Sequence, residues 1–221
     1  MENTQPKKIA LELSIAWLIV IGGSRLSNLL SGVPFLGDNL SLITAALLLY
    51  TPIIIHFRNK EQVRYFDSTA KDYRHSLLWF LLSAGLIFPL IAAGNHFYQG
   101  FLGNHYHAGH IKRPIELILF EIMVVALPEE FFFRGYMQNR LNLVWKKKWK
   151  LLGVSFGPAL PIVCLIFAVS HSLIQFQWWH IFIFFPSLAF GWLYEKRGTI
   201  TAPVLFHAVS NIFAQWVFVH Y

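Results

Sequence analysis

The sequence predicts an all-α fold: one polytopic bundle of about seven membrane-spanning helices, filling a single domain over residues 1–221. Three observations lead there. The chain is 56% hydrophobic and only 13% charged, whereas a soluble domain carries roughly a quarter charged residues. Its apolar residues fall into runs close to the roughly 20 residues that a spanning helix needs. The basic residues sit in short clusters between those runs, and the clusters alternate.

The runs are 9–30, 40–56, 76–98, 114–137, 151–171, 178–194 and 202–219. The first follows the flank MENTQPKK and continues past Gly22 and Gly23 with no small-x-small cleavage site. It is therefore expected to be a retained span rather than a signal peptide. Gly32, Pro34, Gly37 and Asp38 mark a turn before the second run. Pro114 suits the first turn of the fourth helix, where its missing N–H costs nothing. Gly198 suits the end of the sixth. The second, sixth and seventh runs are short, so local thinning or oblique packing is expected.

With this register, fourteen of the eighteen Lys and Arg residues fall on one side. Only Arg25, Lys112 and Arg113 fall on the other, and Arg134 lies inside the fourth run. The positive-inside rule then places the N-terminus in the cytoplasm. The net charge of +7 is explained by these loops, and nucleic acid is not an expected partner. The single cysteine, Cys164, lies in an apolar run and forms no intramolecular disulfide.

Ionisable groups inside spans are costly and face a cavity or a partner. Three clusters qualify. In the fourth run, Glu129 and Glu130 precede Arg134. Glu130 and Arg134 are four apart on one helix face, in the favourable acid-first order. Glu129 is rotated by about 100° and points elsewhere. One glutamate can thus be neutralised while the other remains for chemistry. The fifth run holds Phe167 and His171, and the seventh holds His207 and Asn211 at a spacing that shares a face. Each cluster alone has an ordinary reading: charges at a helix end, a core histidine, or hydrogen-bond glue between helices.

Together, E-E-x-x-x-R, F-x-x-x-H and H-x-x-x-N on three candidate helices resemble the motif set of the CAAX protease and bacteriocin-processing family, which includes the Ras-converting CAAX endopeptidases. The matching residues are Glu129, Glu130, Arg134, Phe167, His171, His207 and Asn211, and Gly-Thr-Ile-Thr-Ala-Pro at 198–203 resembles the family's lead-in. The resemblance covers about 115–215. It implies a glutamic-type intramembrane endopeptidase with eight spans, so one span is missing from the count or a re-entrant piece lies near 145–161. It also implies that Glu129 activates water, that His171 orients it, and that His207 and Asn211 hold the oxyanion. Glu130, Arg134 and Phe167 support the site.

The resemblance implies no cofactor. Zinc on Glu129 and the two histidines is the alternative, although H-E-x-x-H is absent. His105, His107 and His110 are expected to form an exposed polar loop, and Arg25 and His180 to be interfacial anchors. The expected partners are membrane lipids and a membrane-associated or lipidated peptide or protein cut near its C-terminus. The compact chain resembles bacterial members of the family, in the inner membrane. Two other classes stay open: a non-proteolytic scaffold or bacteriocin-immunity protein of the same fold, and a transporter. One difficulty is visible already. A span of 151–171 carries His171 to the outer end, away from Glu129 and His207.

Overall fold

In the computed structural model, residues 5–61 and 63–221 are described; the start of the amino-terminal flank, 1–4, lies outside them. Among the described residues the regular elements are ten α-helices, two π-helical stretches, one 3-10 turn and one hairpin. α1 (Pro6–Leu29) opens with a proline at its first turn. It buries Ile9, Leu13, Ala16, Val20 and Ser24 on one face and turns Leu11, Ile15 and Leu18 outward. Apolar side chains on the outside are what a lipid solvent asks for. α2 (Pro34–Asp38) is a single turn leading into α3 (Leu40–Asn59). α3 ends where Lys60 adopts a left-handed conformation.

α4 (Ala70–Phe101) is capped by Thr69, whose Oγ1 accepts from the Asp72 N–H at 3.1 Å. Only Ser76 of this helix is buried, so α4 lies on the outside of the bundle. It is held by Phe88 stacking on Phe206 and Phe213.

The centre of the bundle is a continuous helical rod over 114–144. It comprises α5 (Pro114–Phe120), a π-helical stretch (Glu121–Ala126), α6 (Leu127–Glu130), a second π-helical stretch (Phe131–Gln138) and α7 (Asn139–Val144). The first π stretch has a local cause. Pro128 has no N–H to offer and its ring crowds the carbonyl four residues back, so the preceding turn widens to i→i+5 pairing. The rod packs against α1, α3, α8, α9 and α10, and every residue from Phe131 to Gln138 is buried.

Where a fifth span was expected from 151, the chain instead forms an antiparallel hairpin, β1 (Trp149–Leu151) and β2 (Val154–Phe156), paired Trp149↔Phe156 and Leu151↔Val154. Its two-residue turn has Leu152 at φ 50° and Gly153 at φ 79°. Two positive φ values in succession match the twist of a hairpin. The stretch 145–161 is therefore not a re-entrant helix. α8 begins only at Ala159 and runs to Ile174, which moves His171 away from the position a 151–171 span gave it. The expected sixth span starts as a 3-10 turn (Trp178–Ile183) and continues as α9 (Phe184–Arg197). Gly198 ends α9 at φ 69°. α10 (Thr201–His220) follows.

The result is an α-helical membrane bundle. Among the described residues, four helices are long and apolar enough to cross a membrane: Pro6–Leu29, Leu40–Asn59, Ala70–Phe101 and Thr201–His220. The rod interrupted by π turns, the 16-residue α8 and the 14-residue α9 do not meet that test, so the expected count of about seven is not confirmed by helix length.

Candidate active site

The rod supplies two adjacent carboxylates with different surroundings. Glu130 is completely buried, and its Oε1 lies 3.2 Å from Arg134 Nη1 and 2.9 Å from His207 Nδ1. The i, i+4 ion pair expected on one face is thus made. Arg134 is buried too. It donates through Nη2 to the Ser187 hydroxyl at 2.6 Å and the Ser187 carbonyl at 3.2 Å. Its guanidinium lies over the Phe167 ring at 4.5 Å and the Phe190 ring at 5.3 Å. A buried charge needs this density of partners to persist.

Glu129 points the other way. Its Oε1 is 3.8 Å from His171 Nε2 and its Oε2 is 3.7 Å from His207 Nε2. Both separations exceed a direct hydrogen bond. The late start of α8 is what brings His171 here. The His171 ring is fixed by Nδ1, which donates to the Phe167 carbonyl at 2.9 Å. A carbonyl only accepts, so Nδ1 carries a hydrogen, and Nε2 is the nitrogen turned toward Glu129. His207 is fixed between the two carboxylates by stacking on Phe190, with centroids 4.5 Å apart and planes 14° apart. Phe167 meets both imidazoles edge-on, at 4.7 Å and 5.9 Å. This phenylalanine therefore braces His171, His207 and Arg134 together.

Asn211 is placed differently. Its Nδ2 donates to Glu121 Oε2 at 2.9 Å, and Gln215 donates to Glu121 Oε1 at 3.1 Å. Asn211 shares a cavity wall with Glu129, His171 and His207, but its nearest carboxylate is Glu121. Glu121 is 5% exposed and belongs to none of the three motif clusters. Ser187 was not singled out at all. The signal for both is partnership: Glu121 needs the amides one turn apart on α10, and Arg134 needs a hydroxyl on α9. His180, expected as an interfacial anchor, stands edge-on to His171 with centroids 5.9 Å apart. Arg25 donates to the Ile174 carbonyl at 2.9 Å. The histidines at 105, 107 and 110 are exposed, as expected for a polar loop. Among the described residues no group of three or more His, Cys, Asp or Glu side chains is arranged to hold a metal ion.

Two cavities converge on Glu129 and His171. The larger, about 790 Å³, is walled by Phe88, Phe190, Phe206 and Phe213 and reaches His207 and Asn211. The smaller, about 400 Å³, lies between α1, α3, the rod and α8, and is lined by Ser24, Asn28, Ser41, Thr44 and Ser170.

No curated protein and no solved structure matches the chain. Residues 112–213 match the family model described as type II CAAX prenyl endopeptidase Rce1-like. The match contains the rod's glutamates, α8 and all but the end of α10, and so every motif residue. The segment that holds the Glu129 site is Rce1-like, and the family resemblance drawn from the three motifs is borne out.

Proposed function

We propose that the chain is an intramembrane endopeptidase that hydrolyses a peptide bond near the C-terminus of a membrane-associated or lipidated substrate, with Glu129 as the base. The observation that carries this reading is the division of labour between neighbours. Glu130 is consumed by Arg134 and His207, while Glu129 faces two imidazoles at 3.7–3.8 Å and opens on both cavities.

A water between Glu129 and His171 meets the carboxylate oxygen and Nε2. Glu129 takes one proton as the water oxygen attacks the scissile carbonyl. The carbonyl oxygen becomes an oxyanion beside His207 and Asn211. Asn211 has one Nδ2 hydrogen left after donating to Glu121, and that hydrogen is available to the oxyanion. Collapse of the tetrahedral intermediate breaks the C–N bond, and Glu129 returns its proton to the leaving amine. No step requires a metal. The basic clusters between helices support a cytoplasmic N-terminus for this enzyme.

The test is a comparison of membrane proteomes from cells carrying the native chain or Glu129→Gln. The substitution keeps shape and removes the base. An uncleaved precursor that accumulates only with the variant supports the proposal. A full phenotype with Glu129→Gln and no precursor favours a non-proteolytic scaffold of the same fold.

A further inference from the structure

We propose that the smaller cavity is a dedicated water conduit, which supplies the reacting water from the opposite side of Glu129 to the apolar cavity that receives substrate. This deepens, and rests on, the hydrolytic reading above. Hydrolysis consumes one water per turnover, and lipid supplies none. A substrate seated in the aromatic-walled cavity displaces water from it, so the reaction needs a second route.

The smaller cavity has the chemistry of such a route. Three elements that carry none of the motif glutamates contribute hydroxyls and an amide to it: Ser24 and Asn28 from α1, Ser41 and Thr44 from α3, and Ser170 from α8. Ser24 is only 2% exposed, and its Oγ has no hydrogen-bond partner in the protein. Buried hydroxyls are almost always paired, and an unpaired one beside a polar cavity is a place for water. At about 400 Å³ the cavity holds several waters, since each takes roughly 30 Å³ in the liquid. It ends on the two groups that would receive a water, Glu129 and Nε2 of His171. The larger cavity ends on the same pair but is lined chiefly by aromatic and aliphatic side chains. The Glu129–His171 gap is the shared wall, with water on one face and the scissile bond on the other.

Cysteine accessibility tests this without relying on activity. The native cysteine, Cys164, is fully buried and gives a quiet background. Ser24→Cys and Thr44→Cys, each alone in the full chain, are treated in open membranes with a positively charged methanethiosulfonate reagent. Ile87→Cys, on the apolar cavity, is the comparison. Modification of the two conduit cysteines on the order of tenfold faster than Ile87→Cys is the expected result. Equal rates, or no modification of either, overturn the proposal. A second arm narrows the conduit with Thr44→Leu and follows cleavage of a prenylated CAAX-type peptide in vesicles. The expected outcome is a kcat lowered on the order of tenfold with KM unchanged, whereas an unchanged kcat in a folded variant counts against the conduit. The two readings fail separately. Peptide cleavage by the native chain with unreactive conduit cysteines removes the conduit alone. Reactive cysteines in a chain that cleaves nothing remove the hydrolytic reading and leave a water-filled cavity.

Discussion

Glutamate, histidine and arginine meet twice along the rod, and the two meetings are built differently. Toward its α7 end, Arg140 pairs with Glu12 at 3.1 Å and also with Glu61. His56 Nδ1 lies 2.8 Å from Glu61, and the Tyr136 hydroxyl donates to Glu12 at 2.8 Å. The other His56 nitrogen meets the Tyr65 hydroxyl. Polar groups there are in direct contact, and the cluster ties α1, α3 and the loop after α3 to the rod. At the middle of the rod, Glu130 meets Arg134 and His207 closely through Oε1, but Glu129 is held 3.7–3.8 Å from its two imidazoles. The same residue types thus serve as clamp or as chemistry according to about one ångström of separation. Glu130 is closed off from both cavities, whereas Glu129 lines them and can meet a water.

The contrast can be broken by substitution. The largest effect belongs to Glu130→Gln. It leaves the buried Arg134 without its carboxylate, and breaking a buried pair costs about 3–5 kcal/mol. Thermal unfolding in detergent or vesicles should show a large loss of stability. An unchanged midpoint would mean that the pair is not the structural half of the site. Next comes His171→Ala. The side chain is partly exposed, so stability should hold while hydrolysis of a CAAX-type peptide falls about 100-fold, or about 2.7 kcal/mol in barrier. Arg140→Met should do the reverse. It should cost about 2 kcal/mol of stability through lost charged hydrogen bonds, with kcat nearly native in the protein that remains folded.

The smallest effect is a pH dependence confined to the clamp. Burial pushes the Glu61 carboxyl up, but hydrogen bonds and charge from Arg140 and His56 outweigh it, and the net position is below the ordinary carboxylate value. A depressed folded-state value stabilises fully above the unfolded value, and the contribution is lost as pH falls through the folded one. Native stability should therefore decline on the acid side of the usual carboxylate range. The decline should be shallower in Arg140→Met, where a main cause of the depression is gone. Parallel acid profiles of the two proteins would break the assignment.

Much of the bundle could be read from hydropathy, because α1, α3, α4 and α10 are unbroken apolar runs. The hairpin at 149–156 could not. Trp149, Leu151, Val154 and Phe156 are as apolar as a helix would be, and only Gly153 with the strand pairing distinguishes them. That one error misplaced His171. The three motifs were legible because ionisable groups in apolar runs are conspicuous, and Glu130 and Arg134 paired as their spacing predicts. The partner of Asn211 was not legible. Which carboxylate faces α10 depends on the rotation introduced by the π stretches around Pro128, and no periodicity assumed for a regular helix anticipates it.

The most direct measurement is single-turnover cleavage of a prenylated CAAX-type peptide in vesicles by the native chain and by Glu129→Gln, with Glu130 intact in both. Removal of the base should lower the cleavage rate on the order of a thousandfold, with peptide binding and the unfolding midpoint essentially unchanged. A variant that cleaves at the native rate would contradict the assignment of Glu129 as the group that activates water.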